Sequence, residues 1–432
     1  MKQIFIFCTC YFLTCFISCK DRTNGEGAEY DPSKPVKLNS FYPNEGGIAT
    51  RLIIDGSNFG SDPGKIRVWC NNKRAPVIGV SEEKLYVVTP RQPGDTCTIS
   101  VVIGNDSVVC EQPFYYHTSV YVKTIAGKKG TTAFKAGTLA TAEFSKPYDI
   151  IVDAEGNVFG TQRSPGICWM LNEQKDIVMQ LPNASGYTAC IPALDVTGKI
   201  VIFPDDCCDN YYLFDADLQW AQRKRTILHP TADDLEAGIK DFKIAWKYSL
   251  ATSQIDGLTY TYDYNTGTIV KFDPINRKGQ FVTQFAKGSS SHGILVFHPV
   301  EKHILYVGVV HKNAIYTYNT LTGEFTPYAG TLGVRGWRDG KKEDCYIGEL
   351  GQFVFDNNLN LIFADAGNHC IRKITPDGIV STIIGKPTKT GYLDGNPEDA
   401  EFNFPKGMCI DKDYNIYIAD AENNCIRKLV IE

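Results

Sequence analysis

Between Val36 and Tyr116 the chain is a series of short runs in which apolar and polar residues alternate, cut by glycine, proline and asparagine. Thr50-Arg51-Leu52-Ile53-Ile54, Lys65-Ile66-Arg67-Val68-Trp69 and Thr98-Ile99-Ser100-Val101-Val102-Ile103 are examples. A period of two means strands with one buried face, and many short strands separated by turns predict an all-β sandwich of Ig-like size over residues 35–117. On this alternation Trp69 is read as a core residue rather than a binding aromatic.

From residue 120 the runs repeat. Ala364-Asp365-Ala366-Gly367-Asn368-His369-Cys370-Ile371-Arg372-Lys373-Ile374 recurs 55 residues later as Ala419-Asp420-Ala421-Glu422-Asn423-Asn424-Cys425-Ile426-Arg427-Lys428-Leu429. The same step carries Gly330 to Gly385 and Asp339-Gly340 to Asp394-Gly395, and a step of 258 carries Gly127 to Gly385, Phe144 to Phe402 and Pro147 to Pro405. Weaker copies lie at Asp195–Ile200, Gly257–Tyr260 and Ile304–Val307. A unit of several short strands repeated at this spacing is the signature of a β-propeller. Inner strands starting near Tyr148, Ile191, Lys243, Gly293, Gln352 and Gly407 give six blades over 120–432. The chain stops after the third strand of the last blade, and Tyr121–Ala126 copies the outer strand 380–384, so the ring is expected to close by lending that N-terminal strand to the last blade, which removes an exposed edge.

The residues that carry the repeat, Phe402, Pro405-Lys406-Gly407, Asp411, Asn415-Ile416-Tyr417, Ala419-Asp420 and Asn424-Cys425-Ile426-Arg427-Lys428, resemble NHL repeats. In the first domain, Phe41-Tyr42-Pro43-Asn44-Glu45-Gly46-Gly47 followed by Ile53-Ile54-Asp55-Gly56-Ser57-Asn58-Phe59-Gly60 resembles the opening of an IPT/TIG domain. The fold expected is therefore all-β, an IPT/TIG sandwich and then a six-bladed NHL-type propeller.

At the N-terminus an apolar run of 14 residues, Ile4 to Ile17, is too short to span a bilayer as a helix, which takes ~18, but has the length of a signal-peptide core. Phe16-Ile17-Ser18-Cys19 resembles a bacterial lipobox. Residues 1–18 are read as a signal peptide, Cys19 as the lipidation site, and 19–34 as a polar tether. This location changes the meaning of the 15 cysteines: three leave with the signal and one takes lipid. The remaining eleven lack zinc-site spacing and are read mostly as small buried apolar residues.

Charge and composition narrow the function. A net charge of −5 without a basic block excludes the electrostatic footprint of a nucleic-acid binder, and 43% hydrophobic residues exclude disorder. The chain has no H-E-x-x-H, G-x-S-x-G or phosphate-loop motif. Asp411-Lys412-Asp413-Tyr414-Asn415 imitates a calcium loop but has Ile416 where glycine is needed, and reads as a turn in which Asp411 and Asn415 satisfy backbone donors. Trp337 shares its repeat position with Tyr392 and Phe134, which points to packing between blades.

Candidate ligand residues are those that break the repeat near the starts of inner strands and the turns beside them: Tyr148, Arg163, Tyr187, Asp205, Asp206, Trp246, Tyr248, His292 and His311. Aromatic faces stack on sugar C–H groups and carboxylates accept bonds from hydroxyls, so a carbohydrate is the expected ligand. No catalytic residue, metal or cofactor is assigned.

A lipid-anchored IPT/TIG domain followed by an NHL propeller resembles accessory lipoproteins of Bacteroidetes polysaccharide-utilisation systems. The resemblance implies a non-catalytic protein of the outer membrane, facing the exterior and held only by its lipid. It would bind an extracellular polysaccharide or oligosaccharide beside a TonB-dependent transporter and its lipoprotein lid, with no nucleic-acid partner. Two alternatives stay open: a metal-dependent lactonase- or lyase-like propeller, with His292, His311 or His369 as ligands, and a protein-binding scaffold.

Overall fold

The structure, a computed structural model, describes residues 29–91, 95–163, 166–185, 190–206, 208–244, 246–285 and 290–432, with 163 and 183–185 described in backbone only. Residues 1–18, read above as a signal peptide, together with Cys19 and Tyr187, lie outside the described residues. The chain divides into two units, one ending at Thr118 and the other spanning Ser119–Ile431.

In the first unit, strands Lys37–Tyr42, Arg51–Ser57, Lys84–Val88 and Val77–Ser81 form one sheet. Asp106–Val109, Ile99–Ile103, Ile66–Cys70 and Lys73–Ala75 form a second. Their alternating residues, among them Leu52, Ile54, Val68, Leu85, Ile99 and Val101, bury into one core. Cys70, Cys97 and Cys110 belong to that core. The same alternation places Trp69 elsewhere than expected. Ile66, Val68 and Cys70 point inward, so Trp69 stands on the outer face, half-buried and not in the core. Asn58, at φ 66°, accepts from Asp31 N (2.9 Å) and donates to Asp31 O (2.9 Å) and Lys34 O (2.6 Å), so the chain is already tied to the sandwich before residue 35.

The second unit is a propeller of six antiparallel sheets among the described residues. Each inner strand opens a blade: Pro147–Val152, Ala193–Leu194, Lys247–Thr252, Gly293–Phe297, Leu350–Phe355 and Pro405–Ile410 for blades 1 to 6. Inner strands of successive blades from 2 to 6 pack side by side, and blade 6 packs on blade 1. Phe159, Met170, Phe203 and Phe214 join blades 1 and 2 and complete the ring. Blade 3 starts at Lys247, not near Lys243: Phe242 and Ile244 alternate and are buried as a strand would be, but in an irregular lead-in whose Phe242 stacks on His229 at 4.2 Å.

Blade 6 is completed by Val120–Gly127, which pairs antiparallel with Cys425–Ile431 from Val120↔Ile431 to Gly127↔Cys425. The junction repeats the chemistry of blade 5. Gly127 and Gly385 take φ of 93° and 99°, a region open to glycine, and each sits where a Cβ would collide with the neighbouring strand. A buried arginine underlies each junction. Arg372 binds Asp365 (2.9 Å) and Asp339 (2.8 Å); Arg427 binds Asp420 (3.1 Å) and Asp394 (2.7 Å). The outer aspartate then accepts from the outer strand, Thr382 N at 2.9 Å in blade 5 and Thr124 N at 2.8 Å in blade 6. The repeated sequence is thus a repeated ionic clasp, and it explains why Asp, Asn and Arg recur at fixed offsets.

Turns after the inner strands repeat too. Asp411 Oδ1 accepts from Asp413 N (2.9 Å) and Asn415 N (2.8 Å), and Asp356 and Asp153 hold Asn360 and Asn157 in the same way. These carboxylates are occupied by backbone donors, as expected for a turn and not for a calcium loop.

The inner edges of the strands would leave unpaired amides along the axis, so side chains fill that role. Gln352 reaches across the axis. Its Oε1 accepts from Ile150 N (2.8 Å) and Met408 N (3.1 Å), and its Nε2 donates to Ile150 O (2.9 Å). Ser249 Oγ accepts from Leu295 N (3.1 Å), and Ile191 N donates to Tyr248 O (2.8 Å). This waist divides the propeller axis into an entry face, where inner strands start, and an exit face, where they end.

Candidate functional site

Antiparallel pairing puts the start of each inner strand beside the turn that follows the second strand. Pro147 pairs with Gln162, Lys247 with Asp263 and Gly293 with Val309. The sequence-selected residues that the structure describes therefore gather on the entry face. His292 is the centre of a ring cluster: Tyr248 lies at 4.3 Å, Tyr264 at 4.8 Å and His311 at 5.4 Å between centroids. His311 is exposed, His292 half-buried and Tyr248 buried, so the cluster grades from solvent into the axis. Trp246, 45% exposed, stands at the mouth; its carbonyl accepts from Tyr264 N (3.0 Å) and its amide donates to Asp263 Oδ2 (3.3 Å).

Across the axis, Lys406 bridges the blades. Its Nζ lies 5.9 Å from the Tyr248 ring and 5.5 Å from Phe404, within cation–π range, and donates to Glu349 Oε1 at 3.0 Å. Phe404 continues to Tyr148 at 6.4 Å. An arc of rings and charges thus runs from His311 through Tyr248 and Lys406 to Tyr148, with contributions from blades 4, 3, 6, 5 and 1.

The remaining selected residues are placed less openly. Asp205 is half-buried and its Oδ2 accepts from Tyr212 Oη at 2.9 Å; Asp206 is buried and its carbonyl accepts from Lys247 N at 3.2 Å. Arg163 ends the second strand of blade 1, opposite Gly166, and only its backbone is described. Beneath the arc, Asp149, Cys190 and Lys247 are fully buried. Burial lowers the Lys247 pKa, partly opposed by Cys208, Asp209 and Cys190, while burial raises the Tyr248 hydroxyl and then Asp149 adds to it. Lys247 Nζ has no hydrogen-bond partner among the described residues.

Lys406, Phe404, Tyr264 and Glu349 are missing from the sequence selection. Lys406 lies inside the Pro-Lys-Gly of the repeat and so passes for scaffold. Its repeat equivalents are Tyr148 and Gly351, however, so it breaks the pattern and the same criterion would have found it. Among the described residues no group of three or more His, Cys, Asp or Glu side chains is placed to hold a metal. His369 Nδ1 is occupied by Phe404 N at 3.1 Å.

Residues 35–118 match the IPT/TIG domain, and residues 402–429 match the NHL repeat. The chain carries both. NHL repeat-containing protein 2 of Gallus gallus is 30% identical over 131 residues, which is 29% of this chain and 18% of that protein. The protein of the same name from Homo sapiens is 28% identical over 131 residues, with the same shares. The chain spans less than a fifth of those relatives' length.

Solved structures share the fold over nearly the whole chain. A Bacteroides thetaiotaomicron protein of unknown function superposes with a TM-score of 0.80 at 24% identity, covering 94% of this chain and all of the other. Two auxiliary nutrient binding proteins, from B. thetaiotaomicron and B. ovatus, give TM-scores of 0.62 and 0.63 at 24% and 23% identity, each over 94% of this chain and 99% and 100% of theirs. This likeness is one of fold.

Proposed function

We propose that the protein is a non-catalytic binding protein of the bacterial cell surface that captures an extracellular glycan on the entry face of its propeller. The observation that carries the reading is the arc from His311 through His292, Tyr248 and Lys406 to Phe404 and Tyr148. It offers ring faces graded from exposed to buried, with Trp246 at the mouth and the Lys406 ammonium and Glu349 carboxylate between the rings. Such a surface suits a ligand with apolar C–H faces and a hydroxyl rim. The names of the two auxiliary nutrient binding proteins, which share the fold across the whole domain order, support a role in nutrient capture. In this reading Cys19 carries the lipid, the protein sits at the outer membrane facing outward, and the captured glycan passes to a TonB-dependent transporter with its lipoprotein lid.

The test is affinity electrophoresis of residues 20–432 in native gels cast with a panel of polysaccharides. Retardation by one polymer, lost in Trp246→Ala, supports the reading; free migration in every gel, or retardation indifferent to Trp246→Ala and His311→Ala, overturns it.

A further inference from the structure

The exit face holds a cavity, which the entry-face reading does not use. It begins at the level of Gln352, has a volume of about 550 Å³ and is lined by all six inner strands. This volume falls in the range of small-molecule sites, roughly 300–1,000 Å³. Pro192, Leu194, Val296, Phe297, Phe355 and Ile410 give it an apolar wall. The wall continues outward as a collar on blades 2 to 4. Val196, Ile255 and Val300, in the turns beyond those inner strands, are 46%, 56% and 66% exposed. Isolated exposed aliphatics are ordinary, but Val196 lines the cavity itself, and Ile255 and Val300 directly follow Gln254 and Pro299, which line it, so the three extend its rim.

Two polar groups give the cavity a sign. His298 lines it and is 92% buried, its ring 5.0 Å from Phe355. His298 Nδ1 accepts from Glu301 N at 2.8 Å, so the proton of the neutral imidazole resides on Nε2, which has no partner among the described residues and is left as a donor. Burial lowers the His298 pKa and so favours this neutral form. Lys302, in the same turn, lines the cavity with an exposed ammonium that makes no ion pair among the described residues. The carboxylate that lines the wall, Asp195, is engaged in its own turn by Thr197 Oγ1, Lys199 N and Ile200 N. An apolar chamber with one neutral donor inside and one cation at its lip matches an apolar body that ends in an anion.

We propose that the exit-face cavity is a second binding site, taking a small amphiphilic carboxylate whose apolar body fills the chamber and whose carboxylate meets His298 Nε2–H and Lys302 Nζ. Binding there is independent of glycan capture, which uses the opposite face.

Isothermal titration of residues 20–432 with dodecanoate below its micelle concentration, with dodecyltrimethylammonium as the cationic control, tests the assignment. The expected result is saturable one-to-one binding of dodecanoate, weaker binding of the cation, loss in Val296→Trp, and a loss of about tenfold in Lys302→Gln, as for one charge-assisted contact. Lys302 is exposed, so Lys302→Gln folds even if the filled cavity of Val296→Trp does not. Absence of saturable binding, or binding unchanged in both variants, overturns the site; equal binding of the cation overturns the carboxylate. Glycan retardation measured on the same variants stays at the wild-type level if the two sites are separate.

Discussion

Asp394 should decide whether the propeller stays closed. Its Oδ1 accepts from Arg427 Nε (3.1 Å), Arg427 Nη2 (2.7 Å) and Thr124 Oγ1 (3.1 Å), and its Oδ2 accepts from Thr124 N (2.8 Å). Thr124 and Asp394 are 270 residues apart, so this carboxylate ties the first propeller strand to the last. Asp394→Ala removes four acceptor contacts. Arg427 is fully buried but keeps Asp420 at 3.1 Å and the carbonyls of Glu401 (2.6 Å) and Leu393 (2.5 Å). Breaking a buried pair outright costs about 3–5 kcal/mol. Asp394 is 45% exposed and water replaces part of what is lost, so about 2 kcal/mol is expected here. That free energy converts to an increase of roughly 30-fold in local opening. Hydrogen–deuterium exchange read by mass spectrometry resolves it, with Asp339→Ala in blade 5 as the control. Asp339 makes the same contacts with Arg372 and Thr382, but its outer strand Ile379–Gly385 follows directly in sequence. Asp394→Ala should expose residues 120–127, and Asp339→Ala should leave them protected. Wild-type protection of 120–127 in Asp394→Ala, or equal exposure in both variants, would refute the reasoning.

Three further outcomes follow from the same contacts. Gln352→Leu orphans the amides of Ile150 and Met408 at the waist and should lower urea-unfolding stability by about 2 kcal/mol, with no change in blade count by scattering. His229 bonds Asp241 and Asp209 at 3.0 Å each; burial pulls its pKa down, but these two carboxylates outweigh burial and raise it. Its stabilising contribution is complete below about pH 6.5, its unfolded value, and is lost as pH rises through the higher folded value, so melting temperature should fall more between pH 6 and 8 in wild type than in His229→Gln. Burial pushes the thiols of Cys70, Cys97 and Cys110 up to about 12, 11 and 11, so Ellman's reagent should leave all three unmodified in the native protein and react with them in guanidinium.

The fold was legible where chemistry repeats. Asp365, Asn368 and Arg372 recur as Asp420, Asn423 and Arg427 because blades 5 and 6 are held by the same buried clasp, and a clasp tolerates few residue types. The closing strand was legible for the same reason: Thr124 and Gly127 meet blade 6 as Thr382 and Gly385 meet blade 5. Trp69 was misread because alternation fixes which residues share a face but not which face is inward; Ile66, Val68 and Cys70 decide that together. Blade 3 was started four residues early because Phe242 and Ile244 alternate in a segment that makes no ladder. Most of the entry-face arc could be read from residues that break the repeat. Lys406 breaks the repeat as well, standing where Tyr148 and Gly351 stand in blades 1 and 5, but it is masked by Pro405 and Gly407, which keep the pattern on either side. The exit-face cavity left no trace in the pattern, since an apolar channel wall and an apolar core have the same sequence.

Glycan capture on the entry face is tested most directly by isothermal titration with an oligosaccharide cut from whichever polymer retards the protein. Wild type and Lys302→Gln, altered on the exit face, should bind alike, and Trp246→Ala and His311→Ala should each lose about tenfold in affinity, the size of one stacking contact. Binding undiminished in both entry-face variants, or abolished by the exit-face substitution alone, would contradict the account.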